Sequence, residues 1–236
     1  MPTFKTIGVM GAMQEEITPL LEIFSQHRAE KVGNNTFYII PFKNTTLILA
    51  YSKIGKVHAA TTASIMILRY GVEALIFSGV AGGLATDLEI NDLILATKLC
   101  QADVDLSAFG HPLGFIPESS VFVESDSTLN ALARGVARSL NIELKEGIVA
   151  TCDQFVNNPE IKQTWHKIFG AAVVEMEGAS MACICRDFNI PFCVLRSVSD
   201  KANGEAPADF DLFLHESAKI SARFVYTMLE RLVKSL

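Results

Sequence analysis

The sequence predicts a single α/β sandwich. Three observations carry that reading. Short apolar runs suited to buried strands alternate with stretches of helical period. No repeat, low-complexity segment or linker interrupts the chain, so residues 1–236 read as one domain. Half of the residues are hydrophobic, which is enough to cover strands on both faces and bury a large core.

Each element can be justified in order. Residues 6–9 are a short apolar strand, with Gly8 and Gly11 bracketing its end. Gln14-Glu15-Glu16 opens a helix to about residue 24, and acids suit a first helical turn. Gly8-x-x-Gly11 falls short of the dinucleotide fingerprint G-x-G-x-x-G. Residues 36–40 and 45–51 are strands joined by a turn at Lys43-Asn44. Ser52-Lys53-Ile54-Gly55-Lys56 is a loop before a helix, whose Val57, Ala60, Thr61, Ser64, Ile65 and Leu68 share one face. Residues 74–78 are a buried strand. Gly79-Val80-Ala81-Gly82-Gly83 then reads as a loop whose small residues let backbone approach a ligand.

Residues 91–97 form the next strand. Residues 103–118 are a long irregular segment carrying Phe109, His111, Phe115 and Pro117, the kind that is functional or lies at an interface. Residues 126–140 are a helix capped by Ser125 or Asp126. Residues 146–151 are a strand ending in Cys152-Asp153-Gln154-Phe155-Val156, and Pro159 opens a helix. An aromatic just past a strand end can stack on a flat base or simply fill the core.

Residues 171–174 are a strand, with helix from 176 to about 188. Residues 191–198 are the last strand and deliver Asp200. Arg196, inside so apolar a strand, needs a partner, and Glu175 at a neighbouring strand end is the candidate. Residues 201–208 read as a polar loop with Gly204 and Pro207. Asp209 or Asp211 then caps a final helix to about residue 234, with Ile220, Phe224 and Met228 on one face.

Composition excludes several classes. The net charge is −6, from 20 basic and 26 acidic residues, which does not suit a nucleic-acid partner. Mean hydropathy is +0.30, yet no apolar run reaches the length of a membrane span. The first residues run straight into a strand, so no signal peptide is expected. Five cysteines without metal-type spacing fit reduced thiols in a cytoplasm.

Four carboxylates lie at element ends: Glu16, Glu175, Glu177 and Asp200. Ligands of open α/β sheets bind beyond the carboxyl ends of strands. A carboxylate there can accept from both adjacent hydroxyls of a ribose. Cleavage of a glycosidic bond needs an acid for the leaving group and a base for water. Asp200, preceded by Ser199, suits the acid, Glu16 the base and Glu177 the sugar hydroxyls. Neither a covalent-catalysis pair nor a metal motif is recognisable. The residues themselves reach a small-molecule hydrolase or transferase; a non-catalytic nucleoside sensor is the competing class, and four placed acids argue against it.

Five segments together resemble the 5'-methylthioadenosine/S-adenosylhomocysteine nucleosidase family. They are Gly11-Ala12-Met13-Gln14-Glu15-Glu16, Ser52-Lys53-Ile54-Gly55-Lys56-Val57, Gly79-Val80-Ala81-Gly82-Gly83, Val174-Glu175-Met176-Glu177 and Ser197-Val198-Ser199-Asp200. Residues 103–118 look most like the branch that also cleaves 6-amino-6-deoxyfutalosine. The resemblance implies the nucleoside phosphorylase fold, a three-layer α/β/α sandwich around a central mixed sheet. It also implies a homodimer, and hydrolysis of an adenine–ribose bond without cofactor or metal. Asp200 would protonate N7 of adenine, oriented by Ser199. Glu16 would activate water placed with the help of Arg196 and Glu175. Glu177 would take the ribose hydroxyls beside the Met176 backbone. Phe155 would stack on the purine, whose edge the Val156 backbone reads. The Val80, Ala81 and Gly82 stretch would line the site. Met13, Ile54 and Phe210 would form the 5' pocket, completed by Phe109 and Pro117 from the other subunit. Two positions depart from the family pattern: Val80 replaces a common serine, and Cys152 a common small residue. A phosphorylase of the same fold is the nearest rival, and it needs a cationic phosphate site.

Overall fold

The computed structural model describes residues 4–202 and 206–234; Met1-Pro2-Thr3 and Gly204 lie outside them, as do the side chains of Pro207 and Asp211. The elements run β1 (Thr6–Gly11), α1 (Gln14–Ile23), β2 (Arg28–Val32), β3 (Asn35–Phe42), β4 (Thr45–Tyr51) and α2 (Lys56–Tyr70). There follow β5 (Ala74–Gly83), β6 (Leu93–Gln101), β7 (Val123–Glu124), α3 (Ser127–Leu140), β8 (Leu144–Thr151) and α4 (Pro159–Phe169). The chain closes with β9 (Ala171–Glu175), α5 (Gly178–Asp187), β10 (Phe192–Asp200) and α6 (Ala206–Lys234). A short 3₁₀ turn, Ser107–Phe109, sits in the irregular segment.

The sheet is mixed. β5 pairs parallel with β1 and β10, and antiparallel with β9. β10 pairs with β6, β6 with β8 and β8 with β9, so five strands close on themselves around β5. β1, β4, β3 and β2 extend from β5 as an open wing. β9 overlaps β5 only at Gly82↔Val174 and Gly83↔Val173. That short overlap brings the carboxyl end of β9 against the carboxyl ends of β5 and β10.

Period-two alternation sorts the strand residues into two layers. Met10, Ile48, Phe77 and Val194 face α2 and α5. Ile7, Val9, Leu47, Leu49, Ile76, Cys193 and Leu195 face α1, α3 and α6. The predicted three-layer sandwich is therefore observed. α4 covers a smaller cluster of Trp165, Phe169, Ala150 and Val174.

Several local expectations need correction. β5 runs on through Gly83, so the small-residue stretch is a strand end and not a loop. The face of α2 singled out in the sequence is not its most buried one, although Ile65 of that set packs against the core. Ala59, Thr62, Ala63 and Met66 are buried, while Val57 and Leu68 are 74% and 70% exposed. Small alanines let α2 lie close to α5, which also presents Ala179 and Ala182, and the bulkier stripe is left outside. α5 starts at Gly178, with Glu177 as its N-cap at φ −135° and ψ −40°, outside the helical region. α6 starts at Ala206, which places Asp209 in its first turn and shortens the expected loop. Asp126, not Ser125, caps α3 by accepting from Leu129 N at 2.8 Å. β2 and β7 are additional strands, the first on the sheet edge and largely polar.

Candidate active site

A cleft of about 460 Å³ opens where β1, β5, β9 and β10 end. It gathers most of the residues singled out in the sequence: Met13, Glu16, Ile54, Val80, Ala81, Gly82, Phe155, Glu175, Met176, Glu177, Ser199, Asp200 and Phe210. Val156 lines an adjoining recess with Phe155 and Asp200. Arg196 stands behind the wall, 1% exposed. Phe109 and Pro117 do not line this chain's cleft, and Phe109 is 78% exposed.

Each carboxylate is held by backbone donors. Glu16 reaches across from α1: one oxygen accepts from Ala12 N at 2.5 Å and Met13 N at 3.0 Å, the other from Val80 N at 2.9 Å. A Cβ on Gly79 would sit 2.6 Å from Glu16 Oε1, and one on Gly82 2.9 Å from Asp200 Oδ1. Glycines in this strand thus make room for the protein's own acids, a nearer cause than room for ligand.

Glu175 is fully committed inside the protein. Its Oε2 accepts from Glu177 N at 3.0 Å, Gly178 N at 2.6 Å and Arg196 Nη2 at 2.6 Å, and its Oε1 accepts from the Thr151 hydroxyl. The expected Glu175–Arg196 pair is present, spanning the end of β5 rather than two adjacent strands. Arg196 also lies over the Phe77 ring, 4.2 Å from its centroid, and its buried Nε has no protein partner. This pair fixes the backbone that presents Glu177, whose Oε1 accepts from Gly55 N at 2.8 Å. Asp200 accepts from Ser199 Oγ at 2.9 Å and from Ala202 N at 2.8 Å.

Buried acids resist ionisation unless a charge or donors compensate, and Arg196 acts on Glu16 and Glu177. Burial pushes the Glu16 carboxyl upward, against the pull of Arg196 and three backbone donors. Burial, with the nearby Glu175, raises Glu177 to about 8. Burial also raises Asp200, which favours its retaining a proton to give away. Across the cleft, Phe155 meets Phe210 edge to face, with centroids 5.8 Å apart. Cys152 is fully buried; burial pushes its thiol up to about 12, as suits a small apolar filler rather than a reactive group.

Sequence reasoning missed four contributors. Thr151 donates to Glu175 and accepts from Ala179 N at 2.8 Å, yet it looks like any strand threonine. The Gly55 N–H holds Glu177 from a loop with φ of 102°, and the glycine itself was the available signal. Asp103 and Asp153 brace that loop through Lys56: Asp103 binds its Nζ and Asp153 its backbone N.

The sequence matches the model of the Phosphorylase superfamily over residues 6–234. It is 53% identical to the aminodeoxyfutalosine nucleosidase of Helicobacter pylori strain ATCC 700392 / 26695, over 96% of this chain and 98% of that protein. It is 34% identical to the 5'-methylthioadenosine/S-adenosylhomocysteine nucleosidase of Shewanella pealeana, over 96% of this chain and 99% of that protein. The fold matches a futalosine hydrolase mutant structure from Helicobacter pylori strain 26695 with a TM-score of 0.95, at 52% identity and covering 96% and 99% of the two chains. Agreement of that extent, on top of a cleft with four placed acids, shows that the chain belongs to the phosphorylase superfamily, in its branch of methylthioadenosine/adenosylhomocysteine and aminodeoxyfutalosine nucleosidases.

Proposed function

We propose that this chain hydrolyses the N-glycosidic bond of 5'-substituted adenosines and releases adenine. The substrates are 5'-methylthioadenosine, S-adenosylhomocysteine, 5'-deoxyadenosine and 6-amino-6-deoxyfutalosine. The reaction serves methionine salvage, S-adenosylmethionine recycling and menaquinone synthesis in the cytoplasm. One observation carries the reading: a protonatable Asp200 on β10 and a backbone-held Glu16 on α1 line the same cleft, with Glu177 as a third acid.

Phe155 stacks on adenine, and the Val156 backbone reads its edge. Asp200, oriented by Ser199, gives its proton to N7 as the C1'–N9 bond breaks and its electron pair passes to the base. That proton avoids expulsion of an anionic purine. The ribose becomes oxocarbenium-like; the Glu16 carboxylate stabilises it, and the growing cation favours ionisation of Glu177, whose proton the folded protein otherwise holds up to about 8. Glu16 takes a proton from the attacking water, whose oxygen bonds C1'. Arg196, with a buried Nε still lacking a protein partner, helps place that water, and Glu175 contributes through its bond to Arg196.

Met13, Ile54 and Phe210 offer the 5'-substituent an apolar wall. In a homodimer, Phe109 and Pro117 of the other subunit would complete it, which accounts for so exposed a phenylalanine. A phosphorylase reading is less supported. Among the described residues no Lys or Arg lines the cleft, and Arg196 behind it is bound to Glu175. The test is adenine release from methylthioadenosine, adenosylhomocysteine and aminodeoxyfutalosine, with and without phosphate. Phosphate-independent release is expected; a strict phosphate requirement would overturn the reading.

A further inference from the structure

A second depression adjoins the catalytic cleft and opens to solvent. It shares Ala12, Met13 and Ile54 with the cleft, and is otherwise lined by Gln14, Glu15, Tyr51, Lys53 and His58. A 5'-arm leaving the apolar wall at Met13 and Ile54 therefore passes directly into a groove with fixed charges. Among the described residues Lys53 has no ion-pair partner, whereas Lys56, at the start of α2, is committed to Asp103 at 2.7 Å. Lys53 is half-buried and lines this groove.

The backbone adds a second observation. Lys53 has φ of 77°, a conformation glycine adopts freely and an L side chain does not. Keeping a lysine there, in the loop that also supplies the Gly55 donor to Glu177, costs local strain. Such strain beside a ligand cleft points to use of the side chain.

We propose that Lys53 is a specificity residue that pairs with a carboxylate at the far end of the 5'-arm, with Glu15 facing any accompanying ammonium group. The proposal rests on the nucleosidase reading above. It separates arms that end in a carboxylate, such as homocysteine or an aromatic acid, from the uncharged methylthio group. Lys53 touches no reacting atom; it acts on binding, through an exposed and salt-sensitive contact.

The test compares adenosylhomocysteine, its methyl ester and methylthioadenosine on the wild type and on Lys53→Gly, Lys53→Met and Lys53→Arg. Glycine and methionine should raise KM for adenosylhomocysteine about 5-fold with kcat unchanged. Methylthioadenosine kinetics should stay put, and arginine should restore the wild-type value. The wild type should lose the same advantage on the methyl ester, or in high salt. Lys53→Gly should melt no lower than the wild type, because glycine relieves the strain. An equal change on both substrates, or none on adenosylhomocysteine, would overturn the proposal. Failure of the wild type to cleave methylthioadenosine would instead overturn the nucleosidase reading.

Discussion

Glu177→Gln should make the protein more stable and less active, by amounts that depend on pH. The Glu177 carboxyl is 5% exposed, accepts one hydrogen bond from Gly55 N and is pushed up to about 8 by burial and Glu175. Its ordinary value is 4.5. The folded protein thus holds this proton more tightly than the unfolded chain does. Stability is full below pH 4.5, falls as pH rises, and stops falling above about 8. Between those limits the ionised carboxylate withholds on the order of 5 kcal/mol as an upper bound, since each tenfold change in proton affinity is about 1.4 kcal/mol. Glutamine keeps the shape and the acceptor for Gly55 but never ionises. Thermal melts without nucleoside should therefore coincide near pH 4.5. The variant should then melt progressively higher, by at most roughly 10–20 °C at pH 8.5, as about 2–4 °C accompanies each kcal/mol in a chain of this size. Turnover should fall at every pH, because the contact to a cationic sugar is lost. A variant that melts lower than the wild type at pH 8.5, or by a constant difference at all pH values, would refute the burial argument.

Other outcomes follow from the same cleft. Asp200→Asn keeps the acceptor for Ala202 N but cannot protonate a leaving base; turnover should drop by about 10²–10⁴-fold with nucleoside binding retained by calorimetry. Near-normal turnover would remove Asp200 from the chemistry. Gly79→Ala places a Cβ 2.6 Å from Glu16 Oε1, so a crystal structure should show Glu16 displaced, with turnover cut by about the 10²-fold lower end of a general-base contribution. Thr151→Val leaves a buried Glu175 oxygen without its hydroxyl donor and should cost about 1–3 kcal/mol in denaturant unfolding. Sedimentation should give a dimer at assay concentration, and an active monomer would rule out a cleft shared through Phe109.

How much of this was legible in the sequence depended on how local the cause was. Arg196 inside an apolar strand demanded a carboxylate, and Glu175 is that partner at 2.6 Å. Element ends carrying Glu16, Glu177 and Asp200 converged as expected, because strand ends of one sheet must meet somewhere. The period of α2 was legible, but not its buried face, because the helix carries two apolar stripes. Which one is buried was decided by the alanines of α5, far along the chain. Gly79 and Gly82 read as a ligand loop because glycine marks close approach without naming what approaches. The neighbours proved to be Glu16 and Asp200. β2, written Arg-Ala-Glu-Lys-Val, gave no alternation because an edge strand with exposed faces needs none. Thr151 gave no signal because its role exists only once β9 is beside it.

The central claim is that water, and not phosphate, takes the ribose. The most direct measurement is a phosphorus NMR spectrum of the products formed from methylthioadenosine in phosphate buffer, taken alongside chromatographic adenine. Full adenine release is expected, with inorganic phosphate as the only phosphorus signal. A sugar 1-phosphate resonance rising in step with adenine would contradict it.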